Sequence, residues 1–140
     1  MLPGQGQTVM YRPTYLSPRQ GTLLGLIWIA VQKNREREQG ACVETGLLGD
    51  LIFTAQSRGL ISPAAHFRFD DASLPCLEAP NLRHALQALK EAGFLHVPET
   101  GGTIGFLGTT FFDLPTGVFR YLNVFGFADL VEEFTGGERD

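Results

Sequence analysis

The sequence predicts an α+β domain, mainly helical with one small antiparallel β-hairpin. Three observations carry that expectation. Apolar residues recur at helical spacing in several stretches, each bounded by residues that start or stop helices. Two short strand-like runs flank the turn-forming segment PETGG at 98–102. The chain has 140 residues, 44% hydrophobic and 19% charged, which suits one buried core and lies far from the composition of disordered chains. Residues 1–140 are therefore read as a single domain, with 1–16 as an irregular N-terminal arm and 135–140 as a frayed tail.

The arm carries Pro3, Gly4, Gly6 and Pro13 without periodicity, apart from a short strand-like run at Thr8–Tyr11. Ser17 opens the first helix. Its hydroxyl suits the N-cap, Pro18 suits the first helical position, and Gln20 completes a capping-box spacing. From Leu23 to Val31 the helix is apolar nearly all round, which predicts a central element covered on several sides. The stretch QKNREREQ at 32–39 then alternates in charge, and Gly40 supplies a stop. Its cations Lys33, Arg35 and Arg37 are interleaved with Glu36 and Glu38, so it reads as a solvated run.

A second helix is expected from Thr45 or Gly46 to Arg58, with Leu47, Leu48, Leu51, Ile52 and Ala55 on one stripe and Gly59 closing it. Residues 60–79 show no sustained period and read as a short helical turn and a loop. The third helix begins at Pro80 or Asn81. Leu82, Ala85, Leu86 and Leu89 make its buried face, and Gly93 ends it in a Schellman-type stop followed by Phe94. Residues 94–97 and 103–107 form the hairpin, and Thr109–Phe112 is expected to prolong the second strand. A last apolar segment spans Thr116 to Phe134, with Phe127, Leu130, Val131 and Phe134 on one helical stripe and Gly126 a point where it can divide.

Composition narrows function. A net charge of −4 is the wrong sign for a surface attracted as a whole to phosphate backbones, so any nucleic-acid contact has to come from a local basic patch. Cys42 and Cys76 form no C-x-x-C pair, and His66, His84 and His96 lie in no H-x-x-x-H spacing, so neither a metal site nor a cofactor is expected. Asp70 and Asp71 read as turn formers rather than paired catalytic carboxylates. Cys76 beside His66 or His84 has no local context of a nucleophile and base. Gly102, Gly105 and Gly108 are not followed by the Lys-Ser/Thr of a phosphate loop, and no serine sits in a G-x-S-x-G elbow. The expectation is a non-enzymatic protein. No signal-peptide pattern opens the chain and its longest apolar run is too short to span a bilayer, so a cytoplasmic location without membrane contact is expected.

The segment NLRHALQALKEAGFLHVPETGGTIGFL, residues 81–107, resembles the recognition helix and wing of winged helix-turn-helix domains. Leu82, Ala85, Leu86, Leu89, Gly93, Phe94 and Leu95 occupy the places of that pattern, which covers about a fifth of the chain. The resemblance implies a helix presented to a DNA major groove, with the hairpin tip beside it. Read directly, the outer face of that helix holds Arg83, His84, Gln87, Lys90 and Glu91, and Arg and Gln are side chains that pair bidentately with guanine and adenine. Arg83, His84, Gln87 and Lys90 are the candidate DNA-binding residues of a regulator of transcription or another nucleic-acid transaction; the same residues also suit a merely solvated face.

The alternative is a small acidic factor that docks on a protein of the transcription or replication machinery and modulates or inhibits it without touching DNA. It is motivated by the negative charge, by a hairpin without Arg or Lys, and by the eleven phenylalanines, since interfaces favour aromatic anchors. Phe106, Phe111, Phe112 and Phe119 are its candidate contacts, with burial in the core as the competing role. Self-association as a homodimer is compatible with either reading.

Overall fold

The computed structural model describes residues 16–36, 42–67, 80–99, 102–108 and 110–135, and the arm before Leu16, Gly40, the Asp70–Asp71 pair, Cys76 and the tail beyond Thr135 lie outside them. Helix α1 spans Pro18–Glu36. It opens with the expected capping box: the Gln20 amide donates to Ser17 Oγ at 3.1 Å, and the Ser17 amide donates to Gln20 Oε1 at 3.2 Å. Gly21 to Ile27 and Ile29 to Val31 are all buried, and the helix packs against every other helix, against β1, and against the short 3₁₀ turn at Pro63–Ala65. An apolar surface running round most of a helix is stable only when covered in this way.

Strand β1, Cys42–Glu44, was not anticipated from the sequence. It is fixed by partners distant in the chain. Cys42, Val43 and Glu44 pair antiparallel with Gly105, Ile104 and Thr103 of β3 (Thr103–Phe106), and the Asn34 side chain at the end of α1 donates to the Cys42 carbonyl at 2.6 Å. Val43 and Ile104 stand opposite each other and both are buried, while Glu44 and Thr103 face water, as the two-residue period of a half-covered sheet requires. Strand β2, Leu95–His96, pairs with the other edge of β3, giving a three-stranded antiparallel sheet in the order β1-β3-β2. The fold is thus α+β, mainly helical, with the hairpin enlarged by one strand.

Helices α2 (Thr45–Ser57) and α3 (Pro80–Glu91) end by the same device. Gly59 and Gly93 take positive φ, 75° and 87°, a region costly for residues with a Cβ. After α2, the Gly59 amide reaches Gln56 O at 3.1 Å and the Leu60 amide reaches Ala55 O at 2.9 Å; after α3, Gly93 reaches Lys90 O at 3.1 Å and Phe94 reaches Leu89 O at 3.0 Å. Both are Schellman motifs. Leu82, Ala85, Leu86 and Leu89 of α3 join the core cluster, as do Phe94 and Leu95 beyond it. Helix α3 leans on α1 and β2 and makes far less contact with α2.

Two expectations are corrected. Thr110–Phe112 is a 3₁₀ turn and not a continuation of β3. Gly108, at φ 57°, swings the chain aside, and the Phe111 carbonyl accepts a hydrogen bond from Trp28 Nε1 at 2.8 Å instead of joining the strand ladder. Nor does Gly126 divide the last helix. Residues 116–121 form successive turns, and one helix, α4, runs Val124–Thr135 from an Asn123 cap whose Oδ1 accepts the Gly126 amide at 2.9 Å. A Cβ at 126 would lie 2.7 Å from Leu60 Cδ2, so any larger residue there would make the end of that side chain shift. Main-chain hydrogen bonds from Ser62 to Tyr121 and from Asn123 to Leu60, both 2.8 Å, tie the exit of α2 to the start of α4.

Candidate functional site

Helical spacing decides which polar residues of α3 act together. Arg83, Gln87 and Lys90 follow at intervals of four and three, so they form one stripe once Leu82, Leu86 and Leu89 turn inward. In the structure Arg83 and Gln87 are exposed and Lys90 half-buried. All three line an open cleft of about 320 Å³ between α3 and the outgoing end of β2, where Val97, Pro98 and Glu99 form the opposite wall and Leu86 and Thr45 the floor. The cleft is mixed in charge: two cations from the helix face one carboxylate from the hairpin. Glu91 adds a second acid, for its Oε2 accepts from Gln87 Nε2 at 2.9 Å. Bidentate pairing with adenine uses Oε1 and one of the two Nε2 hydrogens of a glutamine, so the bond to Glu91 engages one Gln87 donor and leaves the other for a base.

His84 does not belong to this stripe. It is exposed, but it lines a separate hollow with Ala85 and the start of α1, formed by Ser17, Arg19 and Gln20. The sequence-level set Arg83, His84, Gln87 and Lys90 is therefore split, with three residues at the hairpin and one at the far side of the helix.

The phenylalanines converge on the opposite part of the molecule, around Trp28 of α1. Its indole stacks on Phe111 with ring centroids 5.4 Å apart and meets Phe119 edge-on at 5.8 Å. Phe106 and Phe112 in turn present edges to Phe111 at 5.6 and 5.1 Å. Such offset and edge-on contacts add to the value of area burial. Phe106, Phe111 and Phe119 are half-buried, whereas Phe112 is 78% exposed and the adjoining Leu107 is 40% exposed. The Arg35 guanidinium carbon lies 4.7 Å from the Phe111 centroid and 5.8 Å from that of Phe112.

Trp28 and Arg35 were not among the candidate residues taken from the sequence. The signal was there: with Val31 they follow at intervals of three and four, which places the arginine of an otherwise solvated run on the same face as the chain's one tryptophan. Phe125 on α4, 85% exposed, lies off the Phe127, Leu130, Val131 and Phe134 stripe and was not singled out from the sequence. Among the described residues no three of His, Cys, Asp or Glu converge as metal ligands, and no helix is long and apolar enough to cross a membrane. No protein-family model, curated protein or solved structure matches the chain.

Proposed function

We propose that the chain is a non-enzymatic regulatory domain of a nucleic-acid transaction, contacting a duplex through α3 with the β2–β3 hairpin as a wing. The observation that carries this reading is the outward stripe of Arg83, Gln87 and Lys90 beside the hairpin. The order helix, strand, helix, helix, strand, strand, with β1 closing on the wing, supports it, because a wing anchored to the core holds its tip at a set distance from the helix. Arg83 is suited to a guanine edge, Gln87 to adenine, and Lys90 to a flanking phosphate. With two cations in the stripe and a net charge of −4 overall, the electrostatic contribution is small.

Fluorescence anisotropy on random-sequence and genomic duplexes at low salt tests this. The expected slope of log affinity against log salt is roughly −1, from about 0.9 for the one phosphate that Lys90 neutralises. Arg83→Ala and Lys90→Ala should each weaken binding about tenfold, corresponding to roughly 1.4 kcal/mol, without unfolding the chain. Absence of any binding at low salt ends the proposal.

One observation favours a second reading, in which the chain docks on a protein of the transcription or replication machinery without touching DNA. Phe112 stands exposed at the rim of an aromatic cluster whose other members are half-buried, the usual form of an interface anchor.

A further inference from the structure

The aromatic face has a specific chemistry. Between α1 and the turn after β3 lies an open hollow of about 250 Å³ lined by Val31, Phe106, Gly108, Phe111, Phe112 and Arg35. Its floor is preformed: the Phe111 ring is fixed by the Trp28 stack, and its main chain by the Trp28 Nε1 bond. Its single charge is the exposed guanidinium of Arg35, laid against the Phe111 and Phe112 rings. A stacked guanidinium keeps its N–H edges available for a planar, bidentate acceptor.

No carboxylate among the described residues takes that place. Glu36, next in sequence, approaches Lys33 at 3.7 Å and Gln32 at 3.5 Å, and Asp113, beside Phe112, forms no ion pair with Arg35. An apolar hollow bordered by a cation that no carboxylate among the described residues pairs with is complementary to an apolar side chain bordered by an anion. We propose that this face docks a protein segment carrying a phenylalanine or leucine beside a carboxylate, the apolar side chain entering the hollow and the carboxylate closing on Arg35. The inference rests on the protein-docking reading and names its partner's chemistry.

The chain carries one tryptophan, Trp28, which stacks on the Phe111 ring of the floor and reports occupancy by its fluorescence. Titration with a short synthetic peptide of alternating glutamate and phenylalanine should give a saturable change, and calorimetry a matching affinity. The same peptide with lysine for glutamate should bind at least about tenfold more weakly, the scale of one charge-assisted pair. Arg35→Gln and Phe112→Ser alter exposed side chains, and each should lower affinity for the glutamate peptide about tenfold while leaving the thermal midpoint in place; Arg35→Lys should recover part of the loss. Equal binding of the two peptides, indifference to both variants, or no saturable response overturns the proposal. Cross-linking in native extract separates the two levels. A product that Phe112→Ser abolishes, with the peptides silent, leaves docking standing and removes the acidic occupant; peptides silent and products unchanged by Phe112→Ser remove both.

Discussion

Helices α1 and α3 both bury leucines on the same core, yet they present opposite surfaces. Between Gly21 and Val31, α1 is covered on almost every side, by α3, α4, β1 and the loop that carries Val118. Helix α3 buries only the Leu82, Ala85, Leu86 and Leu89 stripe and turns Arg83, His84, Gln87 and Glu91 to water. A helix sealed from solvent can contribute stability but displays nothing, whereas a one-sided helix at the edge displays half its residues at little cost to the fold. The proposed contact surfaces accordingly lie on α3 and at the final turns of α1, where the covering stops.

The contrast breaks most readily at the centre of α1. Ile27→Ala, at a fully buried site, should cost about 2–5 kcal/mol in chemical denaturation, whereas Gln87→Ala on the open face of α3 should stay within about 0.5 kcal/mol. Comparable losses at the two positions would mean that α3 is covered by something on its outer face. A smaller effect is expected at Gly25. A Cβ there would lie 2.7 Å from the Val118 carbonyl oxygen and 3.2 Å from the Phe119 ring, so Gly25→Ala has to push the 116–121 turns away from α1. The expected loss is about 1–3 kcal/mol, accompanied by a change in Trp28 fluorescence because Phe119 packs edge-on to that indole. If Gly25→Ala stabilises the chain instead, the close approach of those turns is wrong.

A fourth substitution should act in the other direction. Thr22 is buried in α1 with its hydroxyl unpaired, which costs the desolvation of a polar group without return. Thr22→Val keeps the shape and removes that group, so a gain of about 1 kcal/mol in unfolding free energy is expected, read as a higher denaturation midpoint at unchanged slope. A loss would show that the hydroxyl has an acceptor in solution.

The parts of this fold that were legible in sequence are those decided within a few residues. Ser17, Pro18 and Gln20 write the start of α1, and the Gly59 and Gly93 stops follow from chemistry spanning six positions. What escaped depends on partners far along the chain. Strand β1 is three residues long and exists because Val43 meets Ile104 some sixty positions later. Thr-Phe-Phe at 110–112 has strand propensity, and it is the pull of Trp28 on the Phe111 carbonyl that accompanies its turn. The candidate site follows the same division. The Arg83, Gln87 and Lys90 stripe could be read from helical spacing, but the separation of His84 and the stacking of Arg35 on phenylalanines arise from how elements meet, which no local pattern records.

The smallest expected effect lies where α1 emerges from its covering. Lys33 Nζ stands 2.9 Å from Glu132 Oε2 on α4 and 3.7 Å from Glu36, so the two helices are joined by an ion pair at the margin of the core. The hydrogen bond to Glu132 holds the Lys33 ammonium above its ordinary pKa of 10.5; the charges of Glu132, Glu36 and Asp129 act in the same sense, and partial burial opposes them. A raised folded-state pKa means that the folded protein holds the proton more tightly than the unfolded chain. The stabilisation is therefore complete below pH 10.5 and disappears as the pH climbs through the raised value. Because the pair is near the surface, it is worth at most about 1 kcal/mol. The informative quantity is the difference between the wild type and Lys33→Met. That difference should be constant from neutral pH to just below 10.5 and shrink above it. Parallel profiles throughout would mean that Lys33 and Glu132 do not hold each other in solution, and that the end of α1 carries both of its cations, Lys33 as well as Arg35, open to a partner.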